Sequence, residues 1–266
     1  MSLSVIVITR NEAANIEACL ASASFADEWV VVDSNSSDGT REIAERFGAR
    51  VIETHDWPGF GPQKNRALDE ARCDWVLSLD ADERVTPELA QQIQAAMRAS
   101  EGGGTAGYTL SRLSSFCGQW MRHGDWYPDH VLRLFRRGSA RFSNDLVHER
   151  LECRGTIAHL SAHLLHDSMP SLDACLDKMN RYSTGRARDQ HRVGKKGGLG
   201  RAIAHGLWAF LRSYLLRGGL LDGRMGFVVA FSIAEGTYYR YLKLWMLARD
   251  ASSSPTIAIG KGIDAG

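Results

Sequence analysis

The chain has no long hydrophobic run. A membrane-spanning helix needs about 20 apolar residues. The best stretch, Met225 to Ala234, is half that and meets Glu235, so no span is expected. It has almost no net charge, +1 at pH 7 over 266 residues, so no overall field draws it to nucleic acid. It has no Cys-x-x-Cys pair: Cys19, Cys73, Cys117, Cys153 and Cys175 are scattered, and an odd number without a framework fits reduced thiols in the cytoplasm. No basic stretch with an apolar segment and cleavage site precedes the first strand, so no secretion signal is expected. A glycine-rich basic phosphate loop near the N-terminus is missing too, since Thr9-Arg10-Asn11-Glu12 contains no glycine. That counts against a nucleotidyltransferase.

What the chain does have is strands alternating with helical segments. Leu3 to Thr9 and Trp29 to Val32 are apolar and β-branched. Trp75 to Leu79 is apolar but for Ser78, as a parallel strand buried on both faces requires. Between them lie an amphipathic stretch, Ala14 to Ala23, a helix over Thr40 to Phe47 and a strand over Arg50 to Glu53. This order predicts βαβ units and a mostly parallel sheet flanked by helices. Polar, acid-rich loops follow three of the strands, and ligands of open α/β sheets bind at such carboxyl ends. Asp80-Ala81-Asp82-Glu83 is one of these loops. Two carboxylates spaced i, i+2 suit Mg²⁺ or Mn²⁺ with positions left open for phosphates. The alternative is helix capping, because Thr86-Pro87-Glu88 reads as a helix start.

The blocks Ser4–Glu12, Val31–Thr40, Lys64-Asn65-Arg66-Ala67-Leu68 and Leu79–Glu83 resemble, in order and spacing, the family 2 glycosyltransferases of GT-A fold. Trp126-Tyr127-Pro128-Asp129 with Arg133-Leu134-Phe135, then Val147-His148-Glu149, bring the likeness nearest to the bacterial lipopolysaccharide-core β-1,4-glucosyltransferase branch. The resemblance implies a metal-dependent inverting transfer of a hexose, with UDP-glucose as donor and a lipid-linked saccharide, the inner-core heptose, as acceptor. A family member with another lipid- or protein-linked acceptor would share the donor site. A sugar nucleotidyltransferase and a non-catalytic membrane scaffold are the rivals from other classes.

By the same resemblance Asp82 is the direct metal ligand, while Asp80 sits nearer the ribose and the metal's outer sphere. His166 is the candidate for a further, downstream ligand. Glu83 is read instead as a first-turn acid interacting with a helix dipole. Asp33 matches the acid that accepts a pyrimidine imide N–H, against the simpler reading of an Asx turn. Thr9, Asn11 and Glu12 match the loop beneath base and ribose, and Asp38 reads as a helix cap. Lys64 and Arg66 would reach the diphosphate, unless they are solvated helix residues. Glu149 stands where the family carries its general base, with Asp129 as rival, because the order here is His-Glu. His148 would orient the base or the acceptor, and Trp126 would stack on the acceptor sugar.

The spacing of His159, His163 and His166 would line a helix face, but the flanking residues predict a strand, whose alternation separates His166 from the other two. The basic segment Arg186 to Arg201 is either a loose solvated linker or a patch facing anionic lipid. It precedes Ala202 to Leu216, whose Trp208, Phe210 and Tyr214 suit shallow insertion into a membrane surface. The expectation is therefore a GT-A catalytic domain over 1–168 and a helical extension over 169–266, cytoplasmic and held peripherally at the inner membrane. Packing of the extension helices on the catalytic domain, or in a homo-oligomer, is the alternative.

Overall fold

The structure, a computed structural model, describes residues 1–100, 104–143 and 150–253, the last four of these by backbone only. The chain divides into two compact units, Met1–Pro170 and Ser171–Gly266.

The first unit begins β1 (Leu3–Thr9), α1 (Ile16–Ser22), β2 (Glu28–Asp33), α2 (Thr40–Phe47), β3 (Arg50–Glu53), α3 (Phe60–Glu70) and β4 (Trp75–Asp80). Then come β5 (Glu83–Val85), α4 (Pro87–Ala99), β6 (Thr105–Phe116), β7 (Gln119–Trp120), β8 (Asp129–Arg136), β9 (Ala140–Phe142), β10 (Leu151–Cys153) and β11 (Thr156–Met169). Among the described residues, nine strands form one sheet along the path β3-β2-β1-β4-β8-β6-β11-β5, with β7 on β6; β9 and β10 pair separately. Strands β1 to β4 are mutually parallel, and the sheet turns antiparallel at β8.

The parallel half follows from its composition. β1, β2 and β4 are buried on both faces by Val, Ile, Leu and Trp side chains, burial that supplies most of the driving force for folding. Gly48, at φ +98°, ends α2 in the left-handed conformation that glycine adopts without penalty. Thr86 caps α4, its Oγ1 accepting the Leu89 N–H at 3.2 Å with Pro87 at the first helical position. The cap of α4 is thus Thr86, and the capping explanation of Asp80 and Asp82 falls. The first-turn reading of Glu83 falls with it, because Glu83 opens β5, four residues before the helix begins.

The second unit holds α5 (Leu172–Arg192), α6 (Leu199–Leu211) and α7 (Gly223–Ser253). A π-helical turn, Arg212–Leu216, and a 3₁₀ turn, Gly219–Asp222, join α6 to α7. Helix α5 runs through Arg186, Arg188 and Arg192, so the loose-linker reading holds only for the few residues before α6. Gly197 lies there by necessity: a Cβ would sit 2.3 Å from the Trp245 nitrogen and 2.5 Å from the Tyr241 oxygen. Phe210 and Tyr214 belong to a ring cluster. Their rings lie 5.4 Å apart and both pack on Phe227, and both are half-buried, whereas Trp208 is exposed. No helix among the described residues is long and apolar enough to cross a membrane.

Candidate active site

The strand register brings the polar ends together. Thr9 lies beside Asp33, and Ile8 beside Asp80, so the loops after β1, β2 and β4 share one rim of the sheet. Asp33 is fully buried. Its Oδ1 accepts the Thr9 hydroxyl at 2.8 Å and the Ser36 hydroxyl at 2.5 Å, and its Oδ2 accepts the Ser36 N–H at 2.8 Å. Asp33 therefore closes the turn that the sequence offered as the simpler alternative, and three of its roughly four acceptor positions are used. Asn11 and Asn35 flank this turn in the left-handed region, at φ 58° and 57°, which asparagine tolerates better than most residues. The Asn11 side-chain Oδ1 accepts the Ser37 N–H at 2.9 Å, and the Asn11 backbone N–H donates to Ser36 Oγ at 2.8 Å. Asp38 takes the Thr40 N–H at 3.2 Å and the Ala13 N–H at 3.0 Å, so it serves the start of α2 and also binds the first loop to the second.

Glu12 is half-buried and accepts a hydrogen bond from Asn15 Nδ2 at 2.9 Å. Burial raises its carboxyl above the usual carboxylate range; the Asn15 bond opposes this, and the charges of Asp82 and Asp38 add to it. An acid whose proton affinity is raised next to the aspartate loop is characteristic of a site rather than of a solvated turn.

The centre of the rim is an ion cluster. Lys64, buried on α3, places Nζ 2.9 Å from Asp80 Oδ1. Arg133, buried on β8, binds Asp80 Oδ2 through Nη2 and also reaches Glu83 Oε1 at 2.7 Å. Glu83 is completely buried; its Oε2 accepts the Asp80 N–H at 2.9 Å, and Arg112 stands 3.4 Å from Oε1. Burial would raise the Asp80 carboxyl, but Arg133 and Lys64 overcome it and hold the group well below the usual carboxylate range. Burial opposes the charge of Arg133 as well, but Asp80 and Glu83 overcome it and raise the guanidinium above its usual range.

The two aspartates are thus separated in role. Both oxygens of Asp80 are taken by cations, whereas Asp82 Oδ2 faces His166 Nε2 at 3.3 Å. His166 is oriented by Ser114, whose hydroxyl lies 3.0 Å from Nδ1, and the Asp167 N–H donates to the Asp82 carbonyl at 2.9 Å. Among the described residues no three His, Cys, Asp or Glu groups form a metal cage. A cation that takes most of its ligands from a diphosphate does not need one. Two ligands at bond lengths of about 2.1 Å lie about 3 Å apart when adjacent around an octahedral ion, so Asp82 and His166 fit as such a pair.

Other predicted residues divide. Arg66 is half-buried; it forms a two-pronged pair with Asp56 at 2.7 Å and donates to Gln63 Oε1 at 3.0 Å. Asp129 is held by Arg112, with Nε at 2.9 Å and Nη2 at 2.7 Å from its Oδ2. Trp126 ends a 3₁₀ turn, half-buried and edge-on to Phe116 at 5.7 Å. The histidines lie on a strand, β11. His159 is within reach of the Ser111 and Thr109 hydroxyls, at 3.1 and 3.0 Å, and His163 stands 3.1 Å from the Tyr127 hydroxyl, so neither joins His166. Glu149 and His148 lie outside the described residues. The flanks of that segment are tied: the Ser143 N–H donates to the Arg150 carbonyl at 2.8 Å. Asn65 holds the backbone of Phe142 by two hydrogen bonds, of 2.9 and 3.0 Å. Phe142 therefore lies beside α3, at the neighbour of Lys64.

Sequence reasoning does not find Arg133, Arg112 or Gln63. Gln63 is fully buried and its Nε2 bridges Ser34 and Thr54 at 2.9 and 2.7 Å. The available signal for Arg133 was an arginine amid the apolar residues of Val131 to Phe135, where a buried charge implies a buried partner.

The sequence model of glycosyl transferase family 2 matches residues 4–153. An uncharacterized glycosyltransferase of Rickettsia prowazekii is 30% identical over 91% of this chain and 86% of its own length. The lipopolysaccharide core biosynthesis glycosyltransferase LpsC of Rhizobium meliloti is 29% identical over 91% and 93%. Among solved structures, S. aureus TarS 1-349 in complex with UDP-GlcNAc superposes with a TM-score of 0.50 at 16% identity, over 94% of this chain and 92% of that one. At that identity the likeness speaks to the fold, which is the GT-A α/β fold.

Proposed function

The chain belongs to glycosyl transferase family 2, and from that premise we propose an inverting transfer of glucose from UDP-glucose to a lipid-linked saccharide, the heptose of the lipopolysaccharide inner core. The observation that carries the donor half is the single rim on which Asp33, Lys64, Asp80 and Asp82 meet. The name of the Rhizobium relative supports the acceptor half.

In this reading Asp33 uses its remaining acceptor position for the uracil imide N–H, with Thr9, Asn11 and Glu12 beneath base and ribose. Asp80 holds the ribose side, and Lys64 lies on the diphosphate side. Asp82 and His166 would hold Mg²⁺ or Mn²⁺, and the cation would supply charge to offset that of the leaving diphosphate. Glu149 takes the proton of the acceptor hydroxyl, whose oxygen attacks the anomeric carbon in line. The bond from that carbon to the nucleotide diphosphate breaks, and the configuration inverts. Asp129 is the weaker base candidate, because Arg112 already occupies its outer oxygen. Trp126 and His148 face the acceptor. Residues 1–168 are the catalytic domain, and the helical extension attaches the protein peripherally to the cytoplasmic face of the inner membrane.

The donor role of Asp33 can be separated from its turn role. Asp33→Ala is expected to weaken UDP binding by about 1–3 kcal/mol, the cost of leaving a buried donor unpaired. Ser36→Ala, which removes a turn hydrogen bond but keeps the carboxylate, is expected to cost clearly less. Equal losses by calorimetric titration would leave Asp33 only its turn.

A further inference from the structure

The connection between α6 and α7 exposes four leucines at one tight turn. Leu216 and Leu221 are 69% and 65% exposed, and Leu215 and Leu220 51% and 45%. The turn cannot fold them inward, because its backbone segments touch. A Cβ on Gly219 would lie 2.7 Å from the Ser213 oxygen, and one on Gly226 would lie 1.8 Å from the Gly219 oxygen. The turn also satisfies its own backbone: Arg217 N–H donates to the Arg212 carbonyl at 2.8 Å, Gly218 N–H to Leu215 at 3.2 Å, and Leu221 N–H to Gly218 at 2.9 Å. A turn with its backbone paired can enter an apolar phase at lower cost than an open loop.

Along the two helices below the turn the apolar surface continues. Ile203, Leu207, Phe227 and Phe231 line an open cavity of about 530 Å³ and are themselves exposed. Apolar surface so contiguous marks a partner, and the charge pattern selects its kind. The turn and its flanks carry Arg212, Arg217 and Arg224 against one acid, Asp222, and Asp222 is buried; Glu235 lines the cavity farther along α7. Aliphatic tip, aromatic flank and the arginines at the turn match the gradation of an anionic bilayer surface from acyl region to headgroups. A second copy of the same face would bring like charges together, which opposes self-association there.

We infer that the α6–α7 turn is the element that enters an anionic bilayer, with Leu215, Leu216, Leu220 and Leu221 inserted and the basic residues around them on the headgroups. This rests on the peripheral membrane reading above and assigns it to one site, in place of the Phe210 and Tyr214 face.

The test is co-sedimentation of the full-length protein with phosphatidylcholine vesicles, with and without phosphatidylglycerol. The double variant Leu216→Glu/Leu221→Glu changes two highly exposed positions and is expected to keep the wild-type melting temperature. Its partitioning to anionic vesicles should fall about tenfold or more. Leu172→Glu, at an exposed leucine of α5, should leave partitioning unchanged. Wild-type partitioning of the double variant would overturn the assignment to the turn while the peripheral reading stood. Failure of the unmodified protein to bind anionic vesicles at low salt would overturn both. Loss of a dimer in the double variant, with vesicle binding intact, would make this face an interface between copies and overturn the inference.

Discussion

Glu149→Gln is expected to lower turnover by about 10²–10⁴ while donor affinity stays close to wild type. Glutamine keeps the size of the side chain and much of its hydrogen bonding but cannot take a proton from the acceptor. The assignment rests on resemblance, and the described residues on either side of Glu149 are tied to the fold. Arg150 is tied to Ser143, and Phe142 is held by Asn65, the neighbour of Lys64. Asp129→Asn is the internal comparison. Because Arg112 binds Asp129, that variant is expected to lose far less turnover. The opposite pattern, with Asp129→Asn nearly inactive and Glu149→Gln active, would reverse the two roles. Steady-state kinetics with a nucleotide binding titration separates the cases.

Arg133→Leu is expected to destabilise the protein by about 3–5 kcal/mol and to abolish most activity. Removing one member of a buried ion cluster leaves its partners uncompensated. Among the described residues, Glu83, completely buried, would keep Arg112 at 3.4 Å as its cation, and Asp80 would keep Lys64. Arg133→Lys should recover part of the loss, because both ion pairs run through the single Nη2 atom. The pH dependence has a defined sign. Asp80 is held below the usual carboxylate range, so its contribution is fully present above the unfolded value of about 3.9 and fades as pH falls through the lower folded value. The stability gap between wild type and Arg133→Leu is therefore widest near neutrality and narrows in acid. Denaturant unfolding at several pH values measures it, and a gap below about 1 kcal/mol at pH 7 would remove Arg133 from the account.

The parallel half of the fold was legible because its signals are local. Apolar β-branched runs gave β1, β2 and β4, and the residue types after them gave the rim of Thr9, Asp33 and Asp80. The boundaries of α2 and β3 agree residue for residue with the sequence reading. The antiparallel half was less legible. β8 reaches β4 from more than 50 residues away, and no periodicity predicts which carboxylate a strand arginine will meet. Glu83 was misplaced for a related reason. An acid near a helix start suggests a dipole partner, but the chain first makes the short β5, which turns Glu83 into the core. His166 is the converse case, where strand alternation correctly detached it from His159 and His163. In the second unit, helical spacing gave the apolar residues of α6 but not the ring cluster of Phe210, Tyr214 and Phe227, because that depends on how α7 lies against it.

The central claim is that Asp82, opposite His166, holds the cation of a nucleotide-sugar site. It is tested most directly by release of nucleoside diphosphate from a panel of nucleotide sugars, with Mg²⁺ or Mn²⁺ and in EDTA, for wild type and Asp82→Ala. The account predicts metal-stimulated release, strongest with UDP-glucose, that is nearly lost in EDTA and in a folded Asp82→Ala protein. Undiminished release in EDTA, or from Asp82→Ala, would contradict it.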